Sequence, residues 1–319
     1  TSRWDWVRFP WGSDHFLAHG RMMPDDGIDQ LRPFDAILLG AVGDPRVPDH
    51  LTLHGLLLPI RRQFDQFLCL RPVRLYPGIA SPLADVAAGI DLLIVRENTE
   101  GEYADVGART DAGPAGDRAL QTNVFTRRGC RRIIEAAFEL AAGRRHHVTS
   151  ITKSNAQRYS MVLWDEVFWE VAARHPEIGT ASLLVDAAAM EMVRRPSRFD
   201  VVVASNLFGD ILSDLAAAVT GSLGLAPSAN LDPSRAGPSM FEPVHGSAPD
   251  IAGRGIANPI AAVLAGAMML DHLGEVGAAR RIEGVVASVL AVGNGLTPDL
   301  GGSGTTATVV HTLLEALSC

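Results

Sequence analysis

The sequence predicts an α/β fold built on an open sheet. Two observations carry this. Short β-branched, apolar runs at 90–95, 148–152 and 199–204 alternate with segments of helical spacing. Each run stops at a polar cluster: Gly-Ala-Val-Gly at 40–43, RENTEGEY at 96–103, TKSN at 152–155, Asp186, and SNLFGD at 205–210. Ligand sites in open α/β sheets lie beyond the carboxyl ends of the strands, so these clusters are the candidate functional positions.

In chain order, 13–32 reads as a helical segment and turn punctuated by Pro24-Asp25-Asp26-Gly27. Residues 34–39 read as a buried strand, and the small residues at 40–43 let a ligand approach the backbone. An amphipathic stretch, 56–68, carries Arg61 and Arg62; a short extended piece follows at 70–74. Residues 104–120 are small, polar and rich in Gly and Ala, and are expected to be an exposed loop or arm. A helix is expected at 127–142, with Arg127, Arg128, Arg131 and Arg132 on a solvated face. A helix at 160–174, a short strand at 182–185 ending at Asp186, and a helix at 187–194 precede the strand at 199–204. Beyond the helical spacing after 206, residues 215–230 are apolar with a turn expected at Pro227-Ser228, and 241–250 is expected to be an irregular loop. Three helices close the chain, from Asn258-Pro259 to about 272, over 275–292 and over 305–317.

The totals bound the function. With 319 residues the chain can bury a large core in one or two domains. A formal net charge of −8 argues against general affinity for nucleic acid or anionic membrane. Cys69, Cys130 and Cys319 are scattered, form neither a metal-ligand spacing nor a disulfide framework, and suit a reducing cytosol, so a cytoplasmic location is expected. No apolar run is long enough to span a bilayer. Neither a G-x-G-x-x-G after a strand nor a P-loop is present.

Asp210 and Asp214 are four apart and share one helix face. Two stacked carboxylates repel unless a cation lies between them, so the pair is a candidate site for a hard divalent ion such as Mg²⁺ or Mn²⁺. A solvated acidic face is the alternative. Arg61, Arg71 and Arg96 adjoin apolar sequence in the first third; arginine forks bind carboxylates bidentately, and three of them suggest a small di-anionic substrate. Each could instead pair with a structural carboxylate such as Glu97. Lys153, ending an apolar strand, and Tyr103 are acid/base candidates. Asp186 is a candidate third metal ligand, and His245 either orders backbone or touches a cofactor. Together these residues describe a metal-bound hydroxy acid clamped by arginines with a proton-transfer pair. Spacing alone does not reveal a nicotinamide cofactor.

The motifs LRPVR (70–74), VRENTEGEY (95–103), TKSN (152–155), SNLFGDILSD (205–214) and FEPVHGSAPDIAGRGIANP (241–259) resemble the β-decarboxylating dehydrogenases of the isopropylmalate/isocitrate/tartrate group, over essentially the whole chain. Residues 11–27 and 53–66 resemble the tartrate/D-malate branch, whereas 185–190 reads more like the isopropylmalate branch. Isopropylmalate enzymes carry a glutamate, and the tartrate branch usually an aromatic, where this chain has His54.

The resemblance implies a two-domain isopropylmalate dehydrogenase-like fold with a shared mixed sheet. Residues 1–66 and 222–319 would form the cofactor side, and 67–221 the substrate, metal and dimerisation side. Members begin with a strand, a Gly-Asp-Gly loop and a helix ahead of the point matching Thr1, so the chain is expected to be an N-terminally truncated version. Arg61, Arg71 and Arg96 match the arginines that hold substrate carboxylates. Tyr103 matches the general acid and Lys153 the base. Asp186, Asp210 and Asp214 match the metal ligands. Lys153 and Asp186 would be supplied across a homodimer with shared active sites. Asn155 matches a nicotinamide contact; Glu242, His245, Gly246, Ser247, Ala248, Asp250, Ile251 and Asn258 match the adenosine side. Asp250-Ile251 is the pair expected of NAD use, because Asp250 can accept from ribose hydroxyls but would repel a 2′-phosphate. The implied cofactors are NAD and Mg²⁺ or Mn²⁺, with a monovalent cation left open. The implied reaction is oxidation and β-decarboxylation of D-malate or tartrate. The alternatives are 3-isopropylmalate as substrate, or a truncated non-catalytic paralogue.

Overall fold

In the computed structural model, which describes residues 4–111, 113 and 116–318, the chain opens with two short helices, α1 (Ser13–His19) and α2 (Gly27–Leu31). Strand β1 (Ala36–Leu38) follows. One helical run then changes pitch: α3 (Asp49–Thr52), a π-helical turn Leu53–Leu57, and α4 (Leu58–Gln63). Pro59 has no N–H for the carbonyl four residues back, which accounts for the wide turn just before it. Strands β2 (Leu68–Arg74) and β3 (Asp91–Glu97) pair antiparallel. A ribbon, β4 (Gly101–Asp111) with β5 (Asp117–Val124), leads to α5 (Arg127–Ala142). Alternating units complete this half: β6 (His147–Thr152), α6 (Ser160–Ala172), β7 (Gly179–Leu184), α7 (Val185–Arg194), β8 (Val201–Ala204) and α8 (Asn206–Val219). The chain ends with β9 (Pro227–Leu231), β10 (Ser239–Pro243), α9 (Ile260–His272), α10 (Val276–Val292) and α11 (Thr306–Ser318).

Eight strands form one mixed sheet in the order β1-β10-β9-β2-β3-β8-β6-β7. The β3, β8, β6 and β7 strands run parallel; β10, β9, β2 and β3 alternate in direction. All four residues of β8 are buried, as a parallel strand covered on both faces requires. The largest apolar cluster joins β3, β6, β8, α5, α6 and α8 around Phe138, Trp164 and Phe168. A second gathers α9, α10 and α11 around Val286 and Leu290, and a third packs Met22, Leu56, Ile60 and Phe64 near β1. Among the described residues no helix is long and apolar enough to cross a membrane.

The strands and helices lie near where the sequence puts them, with five differences. Among the described residues β1 is an edge strand paired only with β10, and Leu38 is 42% exposed rather than buried. Residues expected as an exposed loop or arm at 104–120 are an exposed arm, but one with the regular pairing of a ribbon; from Asp105 to Asp111 every residue of β4 is exposed, so no apolar alternation marks the strand. Ala112, Pro114 and Ala115 of that arm, and Thr1 and Cys319 at the ends, lie outside the described residues. Pro227-Ser228 opens β9 instead of turning, a first-strand position that proline tolerates. Phe241–Pro243 belongs to β10 rather than to a loop. The basic face of α5 is not simply solvated: Arg127 and Arg131 pair with Glu166 and Glu170 of α6, and Arg132 reaches Asp65 at 2.9 Å.

Candidate active site

Strand register sets the centre of the site. Arg96 of β3 lies opposite Cys69 of β2, and Arg71 is two residues further along β2, so both arginines project from one face of the sheet. Helix α8 crosses that face. It begins at Asn206, with Ser205 as its cap directly after β8, and presents Asp210 to the two guanidinium groups. Arg71 Nη1 donates to Asp210 Oδ1 at 2.9 Å and to Ser213 Oγ at 2.6 Å. Arg96 Nη1 donates to the same Asp210 Oδ1, and its other edge holds Asn206 Oδ1 at 2.7 and 3.0 Å. Tyr103 completes the group, donating its phenol to Asp210 Oδ2 at 3.0 Å. Arg61 stands at the other side of the cleft, buried, with Nη2 at 2.6 Å from Glu242 Oε1.

These residues share a cleft of about 180 Å³ with the small loop 40–43 and with Pro243, Val244, His245 and Gly246. The three arginines are 4%, 5% and 2% exposed for Arg61, Arg71 and Arg96. Arg61 Nε and Arg71 Nε are buried without a hydrogen-bond partner. Guanidinium groups so far removed from water, with donors unspent, are suited to receive carboxylates.

Electrostatics set the protonation states. Burial pushes the Asp210 carboxyl up, but Arg96 and Arg71 outweigh it and leave Asp210 below its ordinary value, ionised. Burial, and then the Asp210 charge, push the Tyr103 phenol up, so it remains a proton donor at neutral pH. Burial raises the Asp214 carboxyl, Arg71 opposes it, and neighbouring Asp210 raises it again. Burial and then Arg71 pull the Arg96 guanidinium below its usual value, with Asp210 opposing.

Glutamates of the 96–103 cluster build the frame around this site, and their role is one that residue types alone do not reveal. Glu102 caps α8, accepting Ser205 Oγ at 2.8 Å and Leu207 N at 3.1 Å. Glu100 holds Thr126, the cap of α5, accepting its N–H at 2.9 Å and its hydroxyl at 2.8 Å. Glu97 faces away from the arginines and accepts Thr99 N and Glu100 N. It does not pair with Arg96, the partnership its sequence position suggested; alternation along β3 sends the two to opposite faces.

Other predicted residues lie elsewhere. Lys153, past the end of β6, is ion-paired with Asp186, whose carboxyl that hydrogen bond holds below its ordinary value. Asp186 sits in the first turn of α7, not at a strand end. Neither residue lines the arginine cleft of its own chain, and among the described residues no three acidic, His or Cys side chains converge as a metal cluster. Asn155 is exposed in the turn after Lys153. Ser247 Oγ donates to Gly43 O at 2.8 Å, tying the loop after β10 to the small-residue loop after β1. His245 Nδ1 lies 2.9 Å from Gly246 O, within its own loop. Ala248 has a positive φ of 46°, and Asp250 is exposed beside half-buried Ile251. Asn258, just ahead of the Pro259 cap of α9, accepts Ile260 N at 3.0 Å and donates to Asp299. His54, on the π-helical turn, lies 3.4 Å from Asp105 of the ribbon.

The profile of the family described as isocitrate/isopropylmalate dehydrogenase matches residues 1–313. The chain belongs to that family. This dehydrogenase is 51% identical over 312 residues to a "Probable tartrate dehydrogenase/decarboxylase" of Agrobacterium vitis, covering 97% of this chain and 87% of that one. It is 51% identical over 330 residues to the D-malate dehydrogenase (decarboxylating) of Escherichia coli strain K12, covering 99% and 91%. The crystal structure of isocitrate dehydrogenase from Methylococcus capsulatus superposes with a TM-score of 0.87 at 37% identity, covering 97% and 89%. By this membership the chain is a decarboxylating dehydrogenase, and the family implies, in general terms, a nucleotide cofactor and a divalent metal. The α/β fold with its large mixed sheet is the one the motifs implied.

Proposed function

We propose that this dehydrogenase oxidises D-malate or tartrate with NAD⁺ and a divalent cation, and releases the β-carboxyl group as CO₂. One observation carries the substrate class: three buried arginines converge with a protonated tyrosine on one small cleft. A clamp of that charge suits a small dicarboxylate. The printed names of the tartrate and D-malate relatives support the choice of hydroxy acid.

Asp210 and Asp214 suit a hard divalent ion. They offer carboxylate oxygens one helical turn apart, and the repulsion that helps raise Asp214 is what a cation relieves. Asp186 would join them from a second copy of the chain, which makes a homodimer part of the proposal. Bound there, Mg²⁺ or Mn²⁺ supplies charge stabilisation at the substrate oxygens. NAD would lie along the loops 40–43 and 242–251, with Asn155 of the second copy beside the nicotinamide and Asp250 toward the ribose hydroxyls. We divide the chain accordingly, with 1–66 and 222–319 on the cofactor side and 67–221 on the substrate side.

Arg61, Arg71 and Arg96 orient the carboxylates. Lys153 of the second copy would take the C2 hydroxyl proton, and NAD⁺, when bound, would supply the acceptor for the C2 hydride. The bond to the β-carboxylate then breaks to give CO₂, and Tyr103 delivers its proton to the carbon left behind. The test is NADH production from D-malate, tartrate and 3-isopropylmalate, with and without Mn²⁺. Turnover of either of the first two, dependent on metal, is expected. Preference for 3-isopropylmalate would move the chain to the other branch, and no turnover by a folded dimer would sink the catalytic reading.

A further inference from the structure

Behind Arg61 runs a buried line of amides and one carboxylate. Glu242 Oε1 accepts from Arg61 Nη2 at 2.6 Å and from Asn230 Nδ2 at 2.8 Å. Asn230 Oδ1 accepts from Asn98 Nδ2 at 2.9 Å, and the same amide donates to Gln66 O at 3.0 Å. Gln66 Nε2 donates to Pro238 O at 2.7 Å, just ahead of β10. Asn98, Gln66 and Asn230 have no exposed surface, and Glu242 is 6% exposed. The line therefore leaves Arg61, crosses β10 and β9, and returns to the backbone just after the helix that carries Arg61. Gln66 Oε1 and Asn98 Oδ1 are left without partners, but the bonds from Arg61 Nη2 through Glu242, Asn230 and Asn98 to Gln66 O are continuous, and a buried chain of this kind fixes geometry.

We propose that Glu242 is a positioning residue for Arg61: with Asn230 behind it, the carboxylate sets the guanidinium in the orientation that receives a substrate carboxylate. The inference rests on the reading of Arg61 as a substrate arginine made above. Glu242 takes one Nη2 donor, and among the described residues Nη1 has no partner, so the outer edge of the fork is left for ligand. An arginine already ordered loses little rotamer freedom on binding. Oε1 of Glu242 is occupied twice inside the protein, which fixes that oxygen toward Arg61 and Asn230.

Glu242→Ala and Glu242→Gln in the 319-residue chain test this. The alanine variant is expected to raise KM for the hydroxy acid by about tenfold or more while KM for NAD⁺ stays within about twofold. The glutamine variant, which keeps an acceptor for Arg61 and Asn230, recovers most of the loss. A rise in KM for NAD⁺ equal to or larger than that for the hydroxy acid overturns the assignment, as does an unchanged KM for the hydroxy acid. Where the alanine variant does not fold, Asn230→Ala replaces it, with the same direction expected and the same outcomes decisive. Should the wild-type chain turn over no hydroxy acid, the proposed function fails; crystal structures of wild type and variant then decide the inference. Arg61 displaced in the variant supports it, and Arg61 unmoved overturns it.

Discussion

Gly209 of α8 lies directly against the side chain of Arg96: a Cβ at Gly209 would come within 2.7 Å of Arg96 Cβ and 2.8 Å of its Cγ. A glycine inside a helix ordinarily weakens it, and replacement by alanine gains about 0.5–1 kcal/mol. Here the sign reverses, because the added methyl must push Arg96 away from Asp210 and Asn206. Gly209→Ala is expected to destabilise the chain by about 1–3 kcal/mol. It is also expected to raise KM for the hydroxy acid. Urea denaturation and steady-state kinetics check the two effects, and a stabilised variant with unchanged KM would refute the close packing.

Asp210 holds two arginines and a tyrosine with one carboxylate. Asp210→Asn removes the charge and keeps the shape. Metal-dependent turnover is expected to fall on the order of 10²–10³-fold. Stability should fall by about 2 kcal/mol, less than for a fully buried pair, since the Asp210 side chain is 33% exposed. Activity that survives with its metal dependence intact would remove Asp210 from the proposed metal site.

The sheet, and the setting of arginines beside its buried strands, were legible in the sequence for a physical reason. Buried parallel strands such as β8 need unbroken apolar runs, and an arginine beside one, such as Arg96, must have a partner. The ribbon at 101–124 was not legible, since its outer half is solvated on both faces and carries no alternation. Nor were the roles of Glu97, Glu100 and Glu102. Three acidic residues in one short cluster look alike as letters, yet alternation and the turn after β3 send them to three different partners. Lys153 and Asp186 stand out in the sequence as residue types, but that neither lines the arginine cleft of its own chain belongs to the fold and to no local pattern.

The cap on α8 comes from another element. Ser205 makes no capping bond of its own and instead donates its hydroxyl to Glu102. Glu102→Ala leaves the buried Ser205 hydroxyl and the Leu207 N–H without their acceptor. A loss of about 1–2 kcal/mol is expected, the scale of a missing helix cap. Because α8 carries Asp210 and Asp214, kcat should fall as well. Glu102→Gln, which can still accept one of the two bonds, should lie between. Equal stability of all three proteins by chemical denaturation would refute this role.

Glu97 titrates in the wrong place for a surface glutamate. It is buried against the turn it holds, and burial pushes its carboxyl from 4.5 up to about 6, against the opposing hydrogen bonds from Glu100 N and Thr99. Nearby Glu100 adds to the rise, while the Arg132 guanidinium lies 3.7 Å away. The folded value exceeds the unfolded one, so between these pH values the folded chain binds the extra proton more tightly. The contribution of Glu97 to stability is therefore greatest below pH 4.5 and declines as pH rises through about 6, by about 2 kcal/mol in all. Glu97→Gln removes this titration and keeps the shape of the side chain. The stability of wild type minus that of the variant, from urea melts, should fall by about 2 kcal/mol between pH 4.5 and neutral pH. A flat difference would mean that Glu97 ionises as readily in the folded chain as in the unfolded one.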